Sequence, residues 1–242
     1  MSLIRRAQQE GIRRSTKSKL RRNTGKRAIQ DPDIAARITS LLLASPGELC
    51  ETIVDDPRRL DDLFDGLRHT EAKIKYGTVK LLRRLSEQRP AVLYPEIGRI
   101  INLLDSQETI VRWGAILILG NLAAVDSEHE LDKILVKYLE PITGNVMITA
   151  ANTIAGAGKI AKARPEPAGR IATAIMRAEH ANYATPECRN VVLGHAIKSL
   201  DLFFEHLHAQ KIVIDFVRRQ TTNTRHATRN KALKFLRKHA SR

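Results

Sequence analysis

VRWGAILILGNL, residues 111–122, is apolar on nearly every side, with Asn121 the exception. A helix without a polar face must be covered from several directions, which places it in the middle of a stack. It follows the charged turn DSQET (105–109), and the same layout stands 37 residues earlier, where Ile74, Lys75, Tyr76 and Gly77 fall on Val111, Arg112, Trp113 and Gly114. A looser copy aligns 35 residues later: Val146, Thr149, Ala150, Ile154 and Ala157 fall on Val111, Gly114, Ala115, Leu119 and Leu122. Helical self-similarity at this period marks stacked repeats, each burying its apolar face only against its neighbours. The chain therefore reads as an all-α solenoid, an architecture that offers surfaces for binding.

Outward from this core the helical grammar continues. Asp31-Pro32, Ser45-Pro46 and Asp56-Pro57 each pair an N-cap residue with a proline suited to a first turn, so each predicts a helix start. Spacing then predicts outer and inner helices in alternation, at about 91–104, 109–124, 128–142, 144–162, 167–180 and 186–205. The run IVIDFV (212–217) has strand-like composition, but its helical surroundings favour helix. A basic helix over about 224–239 closes the stack with the polar outer face a terminal repeat needs.

Charge is distributed in blocks. The formal net charge is +15. Residues 1–30 hold ten Lys/Arg against Glu10 alone, and 211–242 hold ten against Asp215 alone, which leaves the 180 residues between them at −3. Basic blocks at both ends point to a polyanion partner. Residues 1–30 lack a stripe able to hold a helix against a core and read as a solvated basic arm, with 31–242 as the folded domain. The lack of an amphipathic face also argues against an organelle transit peptide. No apolar run reaches bilayer-spanning length and the start has no secretory core, so a cytoplasmic location is expected.

The stretch Leu103-Leu104-Asp105, followed by Val111-Arg112, Ala115, Leu119 and Leu122, resembles the HEAT-repeat consensus. The resemblance is good over 74–122, fair over 128–162 and weak near both ends. The Val-Arg pair becomes Ile74-Lys75 in one copy and departs to Val146-Met147 in the other. The resemblance implies a right-handed superhelix of about five helical pairs whose second helices form a concave face. It implies no particular activity, because such folds host adaptors, transport receptors and a few DNA-repair glycosylases.

Candidate chemistry is sparse. AGAGK (155–159) lacks the flanking residues of a phosphate loop, having Thr153 and Ile160 where Gly and Ser/Thr are needed, and reads as close helix packing. Glu205, His206 and His208 do not converge on one metal ion if helical. Cys50 and Cys188 belong to no ligand or bridge pattern. Tyr76 and the lone Trp113 occupy equivalent repeat positions and read as packing residues. No catalytic residue, metal, cofactor or small-molecule substrate is expected.

Binding residues are better candidates. Arg5, Arg6, Arg13, Arg14, Lys17, Lys19, Arg21 and Arg22 in the arm, with Arg225, Arg229, Lys231 and Lys234 at the other end, suit phosphate contacts that position without reading sequence. Arg112, Asn121, Asn152, Lys159, Arg189, Asn190, His195 and Lys198 interrupt the second helices, where they either bond between helices or line the concave face. The leading expectation is a non-catalytic scaffold that docks on nucleic acid or a ribonucleoprotein. The alternatives are a protein–protein adaptor taking a helix or peptide, and a HEAT-like DNA-repair glycosylase.

Overall fold

The computed structural model describes residues 28–239, and the arm candidates Arg5 to Arg22 lie outside them. The described chain is helical throughout: α1 Pro32–Leu43, α2 Pro46–Asp55, α3 Arg59–Gly66, α4 Ala72–Gln88, α5 Pro90–Leu93, α6 Ile97–Asn102, α7 Thr109–Leu122, α8 Glu130–Leu139, α9 Met147–Ala163, α10 Ala168–Met176, α11 Pro186–Phe203, α12 Gln210–Arg219 and α13 His226–His239. No β-strand forms among the described residues. One isolated bridge joins Ile29 to His69 and ties the chain segment before α1 to the α3–α4 turn.

The elements form two layers. Helices α1, α4, α7, α9, α11 and α13 pack on one another in chain order, and the shorter helices cover one side of that row. Five pairs result, with α1 closing the N-terminal end. This is an α-solenoid of armadillo/HEAT type.

The cap grammar holds at two of the three predicted starts. The Asp31 carboxylate accepts the Asp33 and Ile34 amides at 2.9 and 3.2 Å. Ser45 and Glu48 form a reciprocal capping box, and these bonds from Ser45 hold the Glu48 carboxyl below its ordinary pKa. At the third, Asp56-Pro57 makes a turn and α3 begins two residues later, because Asp56 spends its side chain on Arg58. The outer helix predicted over 91–104 is broken at Pro95, which supplies no amide to the ladder, and a 3-10 turn over Tyr94–Glu96 separates α5 from α6. IVIDFV is helical within α12.

The third repeat sits in a different register from the one its apolar residues suggest. Val146 is the N-cap of α9, as Glu108 is of α7, so the two helices correspond at a spacing of 38 residues. The 35-residue alignment slips by three. Three residues are close to one helical turn, which keeps the apolar pattern nearly unchanged and hides the slip.

Small residues let the row close up. A methyl group on Gly120 would stand 2.7 Å from the Gly156 Cα, so α7 and α9 cross backbone to backbone. Gly158 meets Ser199 of α11, whose hydroxyl donates to the Ile154 carbonyl at 2.6 Å. AGAGK is thus a packing element. Beside it, Tyr138 is fully buried and donates to the Ile116 carbonyl at 2.7 Å. Its ring fills the space the glycine leaves, and burying such a side chain contributes about 1.5–3 kcal/mol.

A candidate binding face on the long-helix row

A helix in this row is flanked on two sides and covered on a third, so only one stripe per helix can meet solvent. We call the surface these stripes form the open face. On α4 the stripe includes Tyr76, Lys80 and Arg83, and on α7 it includes Ile110, Trp113 and Leu117. These residues meet Asn152 of α9 around a cavity of about 380 Å³. Lys159 lies seven residues beyond Asn152, two turns along the same side of α9. On α11 the stripe contains His195 and Lys198, one turn apart.

The two aromatic rings are placed by their polar tips. Tyr76 donates its hydroxyl to Glu108 at 3.3 Å, and the Trp113 indole N–H donates to the Thr149 hydroxyl at 2.9 Å. Each ring is thereby tied to the next helix of the row, while its body lines the cavity. Lys75 also binds Glu108, at 2.7 Å, and this bond holds the Glu108 carboxyl below the usual carboxylate range. The equivalence of Tyr76 and Trp113 therefore reflects packing and exposure together. Half-burial of both rings is the part that repeat register alone did not reveal.

The polar candidates divide between structural bonds and the open face. Asn121 donates to Ser86 at 2.8 Å and accepts from Lys159 at 2.5 Å, joining α4, α7 and α9. Asn190 donates to Thr224 and accepts from Asn223, fixing the approach to α13. Arg189 gives its guanidinium to the Ala181 carbonyl, which ties down the loop before α11 instead of pointing along the face. Arg112 stands away from the face too, in a second cavity among Asp105, Lys137 and Tyr138. Arg225 is held by Glu187, and Arg229 donates to the Asn223 carbonyl at 3.0 Å.

His195, Lys198 and Lys231 come together. Burial pushes the His195 pKa down, and the positive charges of Lys231 and Lys198 push it further. Lys231 is lowered as well, first by burial and then by Lys198 and Arg225. Its ammonium leans over Gly194, where a side chain would crowd it at 3.3 Å. Cations gathered without an acidic partner raise one another's energy, and an anion placed among them relieves that repulsion. Lys234 lies one turn beyond Lys231.

The whole body shows the same sorting. From α4 to α13 the long-helix row carries fifteen Lys or Arg against three acids, Glu87, Glu187 and Asp201, while the covering helices with their 3-10 turns carry eight against eight. Charges of the covering layer largely neutralise one another, as in Arg99–Asp61 at 2.8 Å and Arg219–Glu179 at 2.7 Å. The near-neutral middle of the sequence is thus an average over a basic row and the more acidic residues outside it. Among the described residues no cluster of His, Cys, Asp or Glu is arranged to hold a metal ion. Nor is any described helix long and apolar enough to cross a membrane.

No protein-family model matches the chain, and no curated protein matches it. Solved structures do. A designed armadillo repeat protein, YIII(Dq)4CqI, superposes with a TM-score of 0.57 at 13% identity, over 83% of this chain and 90% of that one. An engineered protein solved by the Northeast Structural Genomics Consortium superposes with a TM-score of 0.54 at 12% identity, over 85% and 88%. At such identity the likeness is one of fold: stacked armadillo-type helical repeats, in agreement with the HEAT-like reading of 74–122.

Proposed function

We propose that this chain is a non-catalytic scaffold that binds nucleic acid through the phosphates, using the open face of the long-helix row together with its basic ends. The observation that carries this reading is the sorting of charge, with Lys80, Lys159, Lys198, Lys231 and Lys234 along the row and no acid paired to them among the described residues. Phosphate contacts of this kind fix position and orientation without reading base sequence. A repair-glycosylase reading gains no support, because no carboxylate lines the aromatic cavity and nearby Glu108 is already engaged by Lys75 and Tyr76.

Fluorescence anisotropy of the full chain with short DNA and RNA, at low and moderate salt, tests the proposal. Six to ten phosphate contacts weaken binding roughly 10³- to 10⁵-fold between about 50 and 200 mM salt. Replacing Lys159, Lys198 and Lys231 together by Gln lowers the log–log salt slope by about 2 to 3. Binding with an unaltered slope in that variant would remove the open face from the proposal.

The second reading, a protein adaptor, also has one observation behind it. Ile110, Ile148 and Leu202 are 39%, 45% and 41% exposed on the same face, which gives an acidic peptide apolar footholds. A partner whose binding is nearly independent of salt would favour it.

A further inference from the structure

The aromatic cavity asks for something that a phosphate-binding surface does not explain. Sequence-blind contact with a duplex backbone needs cations and donors; it has no use for an apolar recess walled by two rings. Here Tyr76 and Trp113 line a cavity together with the apolar side chains of Val79 and Leu117 and the polar ones of Lys80, Arg83 and Asn152. Its volume, about 380 Å³, falls in the lower part of the range for small-ligand pockets.

Three features suit this recess to a flat, polar-edged, apolar-faced group joined to a phosphate. The rings are pre-set, since their polar tips are bonded to Glu108 and Thr149, so little side-chain freedom remains to be lost when a guest stacks. Asn152 lines the cavity half-buried, with no hydrogen-bond partner among the described residues, and a carboxamide offers a donor and an acceptor side by side. Lys80 stands four residues, one turn, from Tyr76 and carries a charge no acid neutralises. Aromatic platforms beside cations are how proteins hold single strands, because every base presents a face for stacking.

We infer that the Tyr76–Trp113 cavity is a subsite for one unstacked nucleobase, with the adjoining phosphate on Lys80 and Arg83, so that the chain prefers single-stranded nucleic acid to duplex. This rests on the nucleic-acid reading proposed above. A duplex keeps its bases stacked inward and can offer the recess nothing, whereas a single strand can turn one base in while its backbone follows the lysines of α9, α11 and α13.

Trp113 is the only tryptophan in the chain, so its emission reports on this cavity alone. The full chain is titrated with a single strand of about twelve nucleotides, with a blunt duplex of equal length, and with an abasic strand that keeps the sugar-phosphate charges. The single strand is expected to quench Trp113. The abasic strand is expected to bind roughly ten- to a hundredfold more weakly and the duplex to leave the emission unchanged. Trp113→Leu, followed by anisotropy, is expected to cost the normal strand roughly ten- to a hundredfold and the abasic strand almost nothing. A variant that merely failed to fold would lose both equally, and Tyr76→Leu gives a second chance to see the same difference.

Strands that bind without touching the Trp113 emission, or a Trp113→Leu variant that keeps the parent's urea midpoint yet weakens normal and abasic strands alike, overturn the subsite and leave the phosphate reading standing. Quenching by an acidic peptide that displaces the strand assigns the cavity to a protein ligand instead. Absence of binding by every strand removes both.

Discussion

Lys159 on α9 donates its ammonium to the Asn121 carboxamide oxygen on α7 across 2.5 Å, while the Asn121 amide donates to Ser86 on α4 at 2.8 Å. One asparagine therefore bridges three successive helices of the row and also holds a cation at the open face. Of the two roles the sequence offered for this residue, the interhelical bonds are present, and one of them sets a cation at the open face.

Separating those roles is the first prediction. Asn121→Leu is expected to lower stability by about 1 kcal/mol, since both interhelical bonds go while Ser86 keeps its bond to the Arg83 carbonyl. Lys159→Gln should leave the urea midpoint nearly unchanged and reduce the salt slope of nucleic-acid binding by about 0.7 to 0.9. Equal loss of stability in both variants would refute the division.

Backbone contact between α7 and α9 makes a sharper demand. Gly120→Ala places a methyl 2.7 Å from the Gly156 Cα, and backbone cannot rotate away as a side chain can. We expect a loss of about 1–3 kcal/mol by denaturant unfolding. Gly98→Ala is the control: it lies in α6 with nothing within 4 Å, and better helix propensity should stabilise the protein by up to about 1 kcal/mol.

Arg164 caps the end of α9 against the Asp126 carboxylate at 3.0 Å and Asp132 at 2.7 Å. The Asp126 side chain has 0% exposure and also accepts the Tyr94 hydroxyl and the amides of Glu130 and Leu131. Arg164→Met leaves that carboxylate buried without its cation, and the expected cost is about 3–5 kcal/mol. Arg218→Met, removing an exposed partner of Asp215, should change the unfolding free energy by less than about 0.5 kcal/mol.

A fourth expectation concerns pH. Burial, then Lys231 and Lys198, hold His195 below the ordinary histidine pKa of about 6.5. With the folded value depressed, its contribution to stability is complete above about pH 6.5 and is lost as pH falls toward the folded pKa. His195→Gln should therefore lose less stability than the parent between about pH 7.5 and 5.5. Binding has the opposite sign, because a phosphate beside His195 favours its proton. Affinity for a single strand should rise as pH falls toward 6, and an unchanged pH slope in His195→Gln would refute the placement of phosphate there.

What could be read from the chain alone depended on which physical signal was local. Helix starts at Asp31 and Ser45 were legible because a cap and its proline are neighbours in sequence. The packing role of AGAGK and the helical state of 212–217 followed from composition in context. The register of α9 was misread because a slip of three residues preserves helical periodicity, and only the N-cap position of Val146 corrects it.

The candidate face was legible in fragments. Lys159, His195, Lys198 and Asn152 stand out as polar interruptions in apolar helices and Lys231 as part of the basic C-terminal end, and the structure sets Asn152 at the cavity and gathers His195, Lys198 and Lys231. Arg112 and Arg189 carried the same signal, yet they face a different cavity and a loop carbonyl. Lys80 and Arg83 were missed, since α4 is amphipathic enough for its charges to pass as ordinary solvated residues.

The sequence by itself determined an all-α stacked-repeat architecture with strongly basic ends, because periodicity and net charge are sums along the chain. Only the tertiary structure decided that the middle, near neutral by count, is divided into a basic row and more acidic residues outside it, with two tethered rings open to solvent within that row. The reason is geometric. Each repeat contributes one helix to each layer, so residues that alternate along the sequence are sorted by layer in space, and a charge average taken along the chain cancels what stacking separates.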